Sequence, residues 1–145
     1  MTDDQIDLVD WNYFEKSRAE LGGGFIRILS YFRDDGVKSL NQIEAAMHEA
    51  NAAALVLPAH TLKGEARMFG ADRLADVAEI IESTARSCVE TRRSPDELVP
   101  DVVRLRKLFS ATVELFDKAT NPLLTRAAPQ GAFGRKSANQ GFGRI

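Results

Sequence analysis

The feature that most constrains this chain is the spacing of its apolar residues, which recur every three or four positions over most of the sequence. This spacing matches the 3.6 residues in one turn of α-helix, whereas no long stretch alternates with the period of two that is typical of a β-strand. The longest such stripe comprises Phe25, Leu29, Phe32, Gly36, Leu40, Ile43, Met47 and Ala50. The pattern therefore predicts an all-α protein built from amphipathic helices.

The first two helices are delimited by glycines. A short helix carries apolar residues from Trp11 to Leu21 and ends at a run of three glycines. The longest stripe predicts a helix from about Gly24 to Ala50. Gly36 inside this helix is expected to be its weak point, because glycine is a poor helix former.

A third helix is predicted after Asn51, a residue type that favours the N-cap position. Gly70 suits the C-terminal end of this helix. Pro58 falls within the segment and is expected to kink the helix or to delay its regular part until about His60. The core stripe comprises Leu55, Ala59, Leu62, Ala66 and Phe69.

Two more helices are predicted after Gly70. Arg92 to Ser94 are expected to form the turn between them, and Pro95 suits the first position of the fifth helix. The two stripes comprise Leu74, Val77, Ile81, Thr84 and Cys88, and then Leu98, Val102, Leu105, Phe109, Thr112 and Phe116. Four long amphipathic helices joined by short turns predict an antiparallel up-down four-helix bundle, with the short first helix capping one end.

The charge distribution changes near residue 120. Residues 1–120 hold all 21 acidic and 15 of the 19 basic residues, a net charge of −6, whereas residues 121–145 hold four basic residues and no acidic one. The second segment is also rich in Gly, Ala and Pro, so we predict a bundle domain over 1–120 and a flexible tail over 121–145. The acidic body argues against a nucleic-acid partner, which requires a clustered basic face.

The chain also lacks sequence features of export and of membrane insertion. Its acidic start, residues 1–10, has no signal-peptide pattern. The longest apolar stretch, Ala52 to Ala59, is too short to span a bilayer. Cys88 is the single cysteine, which excludes an internal disulfide and a cysteine-based metal cluster. We therefore expect a cytoplasmic protein that does not insert into membranes.

The stretch AHTLKGEARMFG, residues 59–70, contains one of the two histidines of the chain. His60 lies about 100° around the helix from the core stripe, so it is expected on the flank and at least partly exposed. An exposed imidazole offers one ring nitrogen as a nucleophile near neutral pH. Lys63, one turn later, can bring an ammonium near an anion, and Gly64 leaves room for the approach of another surface. Together, these three residues indicate a site that holds a phosphoryl group and is recognised by a docking protein.

A family resemblance supports this interpretation. The string HTLKG at 60–64, followed by FG at 69–70, resembles the signature of histidine-containing phosphotransfer (Hpt) domains. Residues 10–35 are similar to the opening helices of that family, and residues 7–89 follow its layout. The resemblance implies a four-helix bundle that carries phosphoryl groups between receiver domains and has no kinase activity or ATP site of its own.

Carried over by position, the resemblance implies that His60 is phosphorylated on Nε2, that Lys63 steadies the phosphoryl group and that Gly64 admits the partner. It implies as partners the receiver domains of a hybrid histidine kinase and of a response regulator. Mg²⁺ is expected in the receiver, and no cofactor or metal is expected in this chain, which we expect to be a monomer. Two residues depart from the family pattern: Glu65, where serine or alanine is common, and Arg67, where a small residue is usual.

The role of Arg67 and the docking surface are further predictions. The side chain of Arg67 leans toward the helix N-terminus, so its guanidinium can join Lys63 in holding phosphoryl oxygens. Alternatively, Arg67 forms an exposed salt bridge with a nearby acid. The apolar residues predicted to contact a receiver are Val56 on the third helix and Ile28 and Tyr31 on the long helix.

Three other functions compete with the phosphorelay. A histidine kinase usually has an acidic residue directly after its histidine and a glycine-rich ATP lid, whereas Thr61 follows His60 here. A metal site would need ligands three or four residues after the histidine, where Lys63 and Gly64 stand. The remaining alternative is a helical adaptor whose histidine is not phosphorylated, which a phosphorylation assay distinguishes from a carrier.

Overall fold

The computed structural model describes residues 8–121 and Leu123, and within them the chain is helical and contains no strand. The helices are α1 (Trp11–Leu21), α2 (Phe25–His48), α3 (Ala52–Met68), α4 (Asp72–Thr91) and α5 (Val99–Thr120), with 3₁₀ turns at Gly22–Gly24 and Asp96–Leu98. None of the described helices is long and apolar enough to cross a membrane. The predicted tail, 121–145, lies outside the described residues apart from Asn121 and Leu123.

The chain divides into two compact units, Met1–Thr112 and Val113–Ile145. In the second unit the helix continues to Thr120, whose hydroxyl donates to the carbonyl oxygen of Phe116 at 2.9 Å. The first unit contains α1 to α4 and the larger part of α5. It carries every residue of the candidate site.

Within the first unit the long helices pack as a bundle. α2 contacts α3, and α3 contacts α4. α2 also meets α5, where the ring centroids of Phe32 and Phe109 lie 5.6 Å apart. Short turns join successive helices, so neighbours run antiparallel and the predicted helical bundle is confirmed.

The buried positions follow the predicted stripes throughout α3 and α5. On α2, burial ends at Ala46 instead of continuing to Met47 and Ala50. On α4, Ala85 is buried in place of Thr84. Alanine occupies these contacts because a small side chain lets two helices approach closely, although it adds little to a hydrophobic pattern.

α3 begins at Ala52 and continues through Pro58, so the expected delay until His60 is wrong. The side chain of Asn51 accepts a hydrogen bond from the backbone N–H of Ala54 at 3.1 Å, as its prediction as N-cap requires. Pro58 removes a helical donor, but it is itself buried. The cap and the packing of α3 therefore outweigh the cost of the proline.

Gly70 ends α3 and ties it to the start of α1. Its φ of 77° lies in the left-handed region that favours glycine. Its carbonyl oxygen accepts a hydrogen bond from the backbone N–H of Asp10 at 2.8 Å. A Cβ at Gly70 would lie 2.7 Å from the carbonyl oxygen of Asp10, so the predicted helix stop is also a close contact between two backbones.

Gly36 is a contact between helices and not the weak point expected from the sequence. A Cβ at this position would overlap the ring of Phe109, which is buried on α5. α2 runs through Gly36 without interruption. The missing side chain therefore allows α2 and α5 to approach each other.

We expect Gly36→Ala to lower the free energy of unfolding by about 1–3 kcal/mol, because the added methyl group must displace Phe109 or separate the helices. The matched control is Gly64→Ala, since a Cβ at Gly64 meets nothing within 4 Å. There alanine should stabilise the fold by up to about 1 kcal/mol through its helix propensity. Urea unfolding measures both variants, and equal effects of the two substitutions would contradict the close contact at Gly36.

Candidate functional site

Three basic or imidazole side chains of α3 face three carboxylates of α4. The pairs are His60 with Glu82, Lys63 with Glu79, and Arg67 with Asp76. From one pair to the next, the residue number increases on α3 and decreases on α4, because the two helices are antiparallel. We call these six residues the α3–α4 ladder. It places the predicted His60 and Lys63 side by side on the flank of the bundle.

Glu82 is the buried centre of this ladder, with a side chain that is 7% exposed. Its Oε2 lies 2.9 Å from Nδ1 of His60 and accepts a hydrogen bond from Nη2 of Arg86 at 2.9 Å. Its Oε1 lies 2.8 Å from Nζ of Lys63. One carboxylate from α4 thus contacts both His60 and Lys63 of α3 and a cation from its own helix.

The negative charge of Glu82 determines which nitrogen of the neutral His60 ring carries the hydrogen. Burial raises the pKa of this carboxyl group, but the hydrogen bonds from Lys63, Arg86 and His60 outweigh burial and lower the pKa to about 2. Glu82 is therefore ionised at neutral pH and can only accept hydrogen bonds. It follows that Nδ1 of His60 carries a hydrogen, so in the neutral ring the lone pair lies on Nε2.

His60 combines this fixed tautomer with access to solvent. Its side chain is 57% exposed, although its Nδ1 faces a buried carboxylate. The opposite nitrogen, Nε2, is therefore the part of the ring that a second molecule can reach. Chemically, this arrangement offers a single oriented nucleophile at the protein surface.

Lys63 is bound to two carboxylates. Its Nζ lies 2.8 Å from Oε1 of Glu79 and 2.8 Å from Oε1 of Glu82, and these contacts raise the pKa of Lys63. Glu79 is 46% exposed, and Ser83 Oγ donates to its Oε2 at 2.8 Å. Hydrogen bonds from Lys63 and Ser83 lower the pKa of Glu79. The ammonium of Lys63 is thus charged and already partnered.

Gly64 leaves an open place on the surface of α3. A Cβ at this position would meet nothing within 4 Å, and the backbone there is ordinary helix. No neighbour in the described part of the fold therefore requires a glycine. This differs from Gly36 and Gly70, where the fold itself leaves no room for a side chain.

The two departures from the Hpt pattern, Arg67 and Glu65, differ in their surroundings. Nη2 of Arg67 lies 3.7 Å from Oδ1 of Asp76, with both side chains largely exposed. This contact matches the exposed salt bridge that the sequence left open as one role for Arg67. Burial and the nearby Asp35 raise the pKa of Glu65. Both residues therefore change the charge beside Gly64.

Among the apolar residues predicted to contact a receiver, Val56 is half-buried and lies one turn before His60. Leu57, which the sequence analysis missed, is 72% exposed and also lies one turn before the histidine. A leucine in an amphipathic helix is normally assigned to the core, so the pattern gave no reason to select it. Leu57 is the most exposed large apolar side chain of those described on α3.

Ile28 and Tyr31 lie farther along the bundle. The ring centroids of Phe32 on α2 and Phe69 at the end of α3 lie 5.4 Å apart, so this part of α2 packs against the end of α3. The ring centroid of Phe69 also lies 5.7 Å from that of Phe25, so Ile28 and Tyr31 lie in the stretch of α2 that faces the end of α3. Tyr31 is 56% exposed, and Ile28 is half-buried.

Glu79, Glu82 and Arg86 are further members of the site that were not predicted from the sequence. One signal was present, since Glu82 stands between Ala78 and Ala85 at the four- and three-residue spacing of a core stripe. A carboxylate at a core position is expensive unless it is paired, and Arg86 follows it by one turn. The acid and its cation therefore mark α4 as part of a polar site.

Comparison with known proteins gives a family and a fold. A family model described as the Hpt domain matches residues 27–115. Histidine-containing phosphotransfer protein B (HptB) of Pseudomonas aeruginosa PAO1 superposes with a TM-score of 0.68 at 23% identity, over 77% of this chain and 93% of that protein. The HPT domain from the Hpt sensor hybrid histidine kinase of Shewanella gives 0.64 at 16% identity, over 86% of this chain and 99% of that domain. No curated protein sequence matches the chain.

The low pKa of Glu82 makes stability depend on pH. Since the folded value of about 2 lies below the ordinary 4.5, the ionised carboxylate stabilises the fold fully above about pH 4.5 and loses this effect as the pH falls toward 2. Between about pH 5 and pH 2 we expect the free energy of unfolding to fall more in the wild type than in Glu82→Gln, by roughly 1–2 kcal/mol after solvent screening. Urea unfolding over a pH series measures the difference.

The matched control for this experiment is Glu90→Gln, which removes an exposed carboxylate from the same helix. It should keep the acid dependence of the wild type. If Glu82→Gln also keeps it, Glu82 does not hold the depressed pKa that its contacts require.

Proposed function

The chain belongs to the Hpt domain family, and we propose that it accepts a phosphoryl group on Nε2 of His60 from one receiver domain and passes it to the aspartate of another. Hpt domain proteins are phosphocarriers of phosphorelays and not kinases, and they work with receiver domains. The choice of Nε2 rests on the 2.9 Å contact between Nδ1 of His60 and Glu82. It leaves Nε2 as the one ring nitrogen able to attack.

In the proposed transfer, the lone pair of Nε2 attacks the phosphorus of an aspartyl phosphate. The bond between phosphorus and the carboxyl oxygen breaks, and its electron pair stays on the aspartate as carboxylate. The ring of His60 becomes positive, and Glu82 stabilises this charge through the hydrogen on Nδ1, as a carboxylate does for the histidine of a catalytic triad. In onward transfer the same hydrogen lets the ring leave as neutral imidazole, so one arrangement serves both directions.

Lys63 and Gly64 complete the proposed site. The ammonium of Lys63 lies one helical turn from His60 and is held there by Glu82 at 2.8 Å, which favours a role in steadying phosphoryl oxygens. The open place at Gly64 lets a receiver bring its aspartate toward Nε2. Exposed Leu57 and half-buried Val56 offer the apolar contact that a docking interface also needs.

We infer that the partners are the receiver domains of a hybrid histidine kinase and of a response regulator. Mg²⁺ would be held by the receiver, close to its aspartate. The chain would act in the cytoplasm as a monomer. Phosphotransfer profiling against all receiver domains of the source organism identifies the partners and the direction of flow.

We expect His60→Gln to abolish acid-labile phosphorylation by phosphorylated receivers, while its circular-dichroism spectrum and melting temperature stay close to those of the wild type. The fold is retained because the side chain is 57% exposed. His48→Gln is the matched control, since His48 is exposed at the end of α2, and it should be phosphorylated like the wild type. Phosphorylation of His60→Gln would refute the site, and a wild type that no receiver phosphorylates would favour the helical adaptor.

Gly64→Gln should slow transfer from a receiver by at least tenfold. The new side chain blocks the space through which the receiver reaches His60, while the bundle stays folded. Gly64→Ala is the control and should have a much smaller effect, since a methyl group occupies little of the open place. Rates from single-turnover transfer, with helicity checked by circular dichroism, decide the matter. Unchanged transfer in Gly64→Gln would mean that the receiver does not approach over this glycine.

A further inference from the structure

Lys63 has two carboxylate partners before any phosphoryl group arrives, and they differ in how firmly they are held. Glu82 is 7% exposed and also contacts His60 and Arg86. Glu79 is 46% exposed, and its described partners are Lys63 and Ser83. If one carboxylate has to move, Glu79 is therefore the one whose release breaks fewer contacts.

Phosphorylation of His60 creates a reason for that movement. A phosphoryl group brings a charge of about −1.5 to −2 to the surface beside Lys63. Glu79 and Glu82 already offset the positive charges of Lys63 and Arg86, so the new anion meets a site with no excess of cations. A phosphoryl group that binds Lys63 must compete with Glu79 for the same ammonium.

Ser83 gives Glu79 a place to remain after it has released the lysine. Its Oγ donates to Oε2 of Glu79 at 2.8 Å, whereas Lys63 contacts Oε1. The two contacts use different oxygens, so the one with Ser83 can persist when the other breaks. Movement of Glu79 therefore requires no change in α4.

We propose that Glu79 is a positioning residue that competes with the phosphoryl group for Lys63 and so keeps the phosphorylated state of His60 from becoming too stable. This inference rests on the proposed function. In the resting protein Glu79 holds the ammonium, and after phosphorylation it yields part of that contact. A carrier built in this way retains the phosphoryl group less tightly and passes it on more readily, because binding that stabilises only the ground state slows the next step.

The test measures the lifetime of phosphohistidine in the full chain without any receiver. All proteins carry His48→Gln, so that His60 is the one histidine left, and they are phosphorylated chemically with phosphoramidate. After the donor is removed, ³¹P NMR and phosphate-affinity gels follow the loss of phosphate. The variants are Glu79→Gln, Lys63→Met, the two combined, and Glu90→Gln as a matched exposed carboxylate on α4.

We expect Glu79→Gln to lengthen the half-life severalfold, Glu90→Gln to leave it unchanged and Lys63→Met to shorten it. In the double variant the half-life should equal that of Lys63→Met, because Glu79 acts through the lysine. The proposal is overturned if Glu79→Gln matches Glu90→Gln. It is equally overturned if the longer half-life persists without Lys63, since Glu79 would then repel the phosphoryl group directly.

This outcome is independent of the outcome for the proposed function. Chemical phosphorylation needs an accessible imidazole but no relay partner. If receivers phosphorylate the wild type and Glu79→Gln has no effect, the competition by Glu79 fails and the phosphocarrier stands. If Glu79→Gln has the expected effect and no receiver transfers phosphate to His60, the proposed function fails instead.

Discussion

The buried carboxylate of Glu82 is the interaction on which the site depends. A charge that is 7% exposed is tolerated only when it is paired and hydrogen-bonded, and here His60, Lys63 and Arg86 meet that need. Two of these partners lie on α3 and one lies on α4. The same contacts therefore hold the two helices together and orient the histidine ring. Loss of the Glu82 carboxylate therefore affects both the packing of α3 against α4 and the orientation of the His60 ring.

Much of the fold could be predicted from the sequence because burial on a helix is periodic. The stripe of α3 from Leu55 to Phe69 is buried as predicted, and so is the stripe of α5. The errors lie where the pattern carries little information. Ala85 replaces Thr84 because alanine is buried for its size and not for its hydrophobicity, and Pro58 does not delay α3 because tertiary packing outweighs a local preference.

The site could be predicted only in part. Spacing within one helix fixes which side chains share a flank, so the exposure of His60 and the proximity of Lys63 followed from the sequence. Spacing gives no information about which residue of the next helix stands opposite. That pairing depends on the register of α4 against α3, and thus on the turn at Gly70. The contacts of Glu79 and Glu82 can therefore be identified only from the structure.

α3 separates the residues that pack into the bundle from residues that face the solvent. Its core stripe is buried on one face, while Leu57, Gly64 and Arg67 are exposed. Substitutions on the exposed face cost little stability, because these positions touch few neighbours. Under the proposed docking of receivers on this face, duplicated copies of such a gene can diverge in partner choice while the bundle stays intact, and insulation between parallel signalling pathways can evolve through a few surface residues of a single helix.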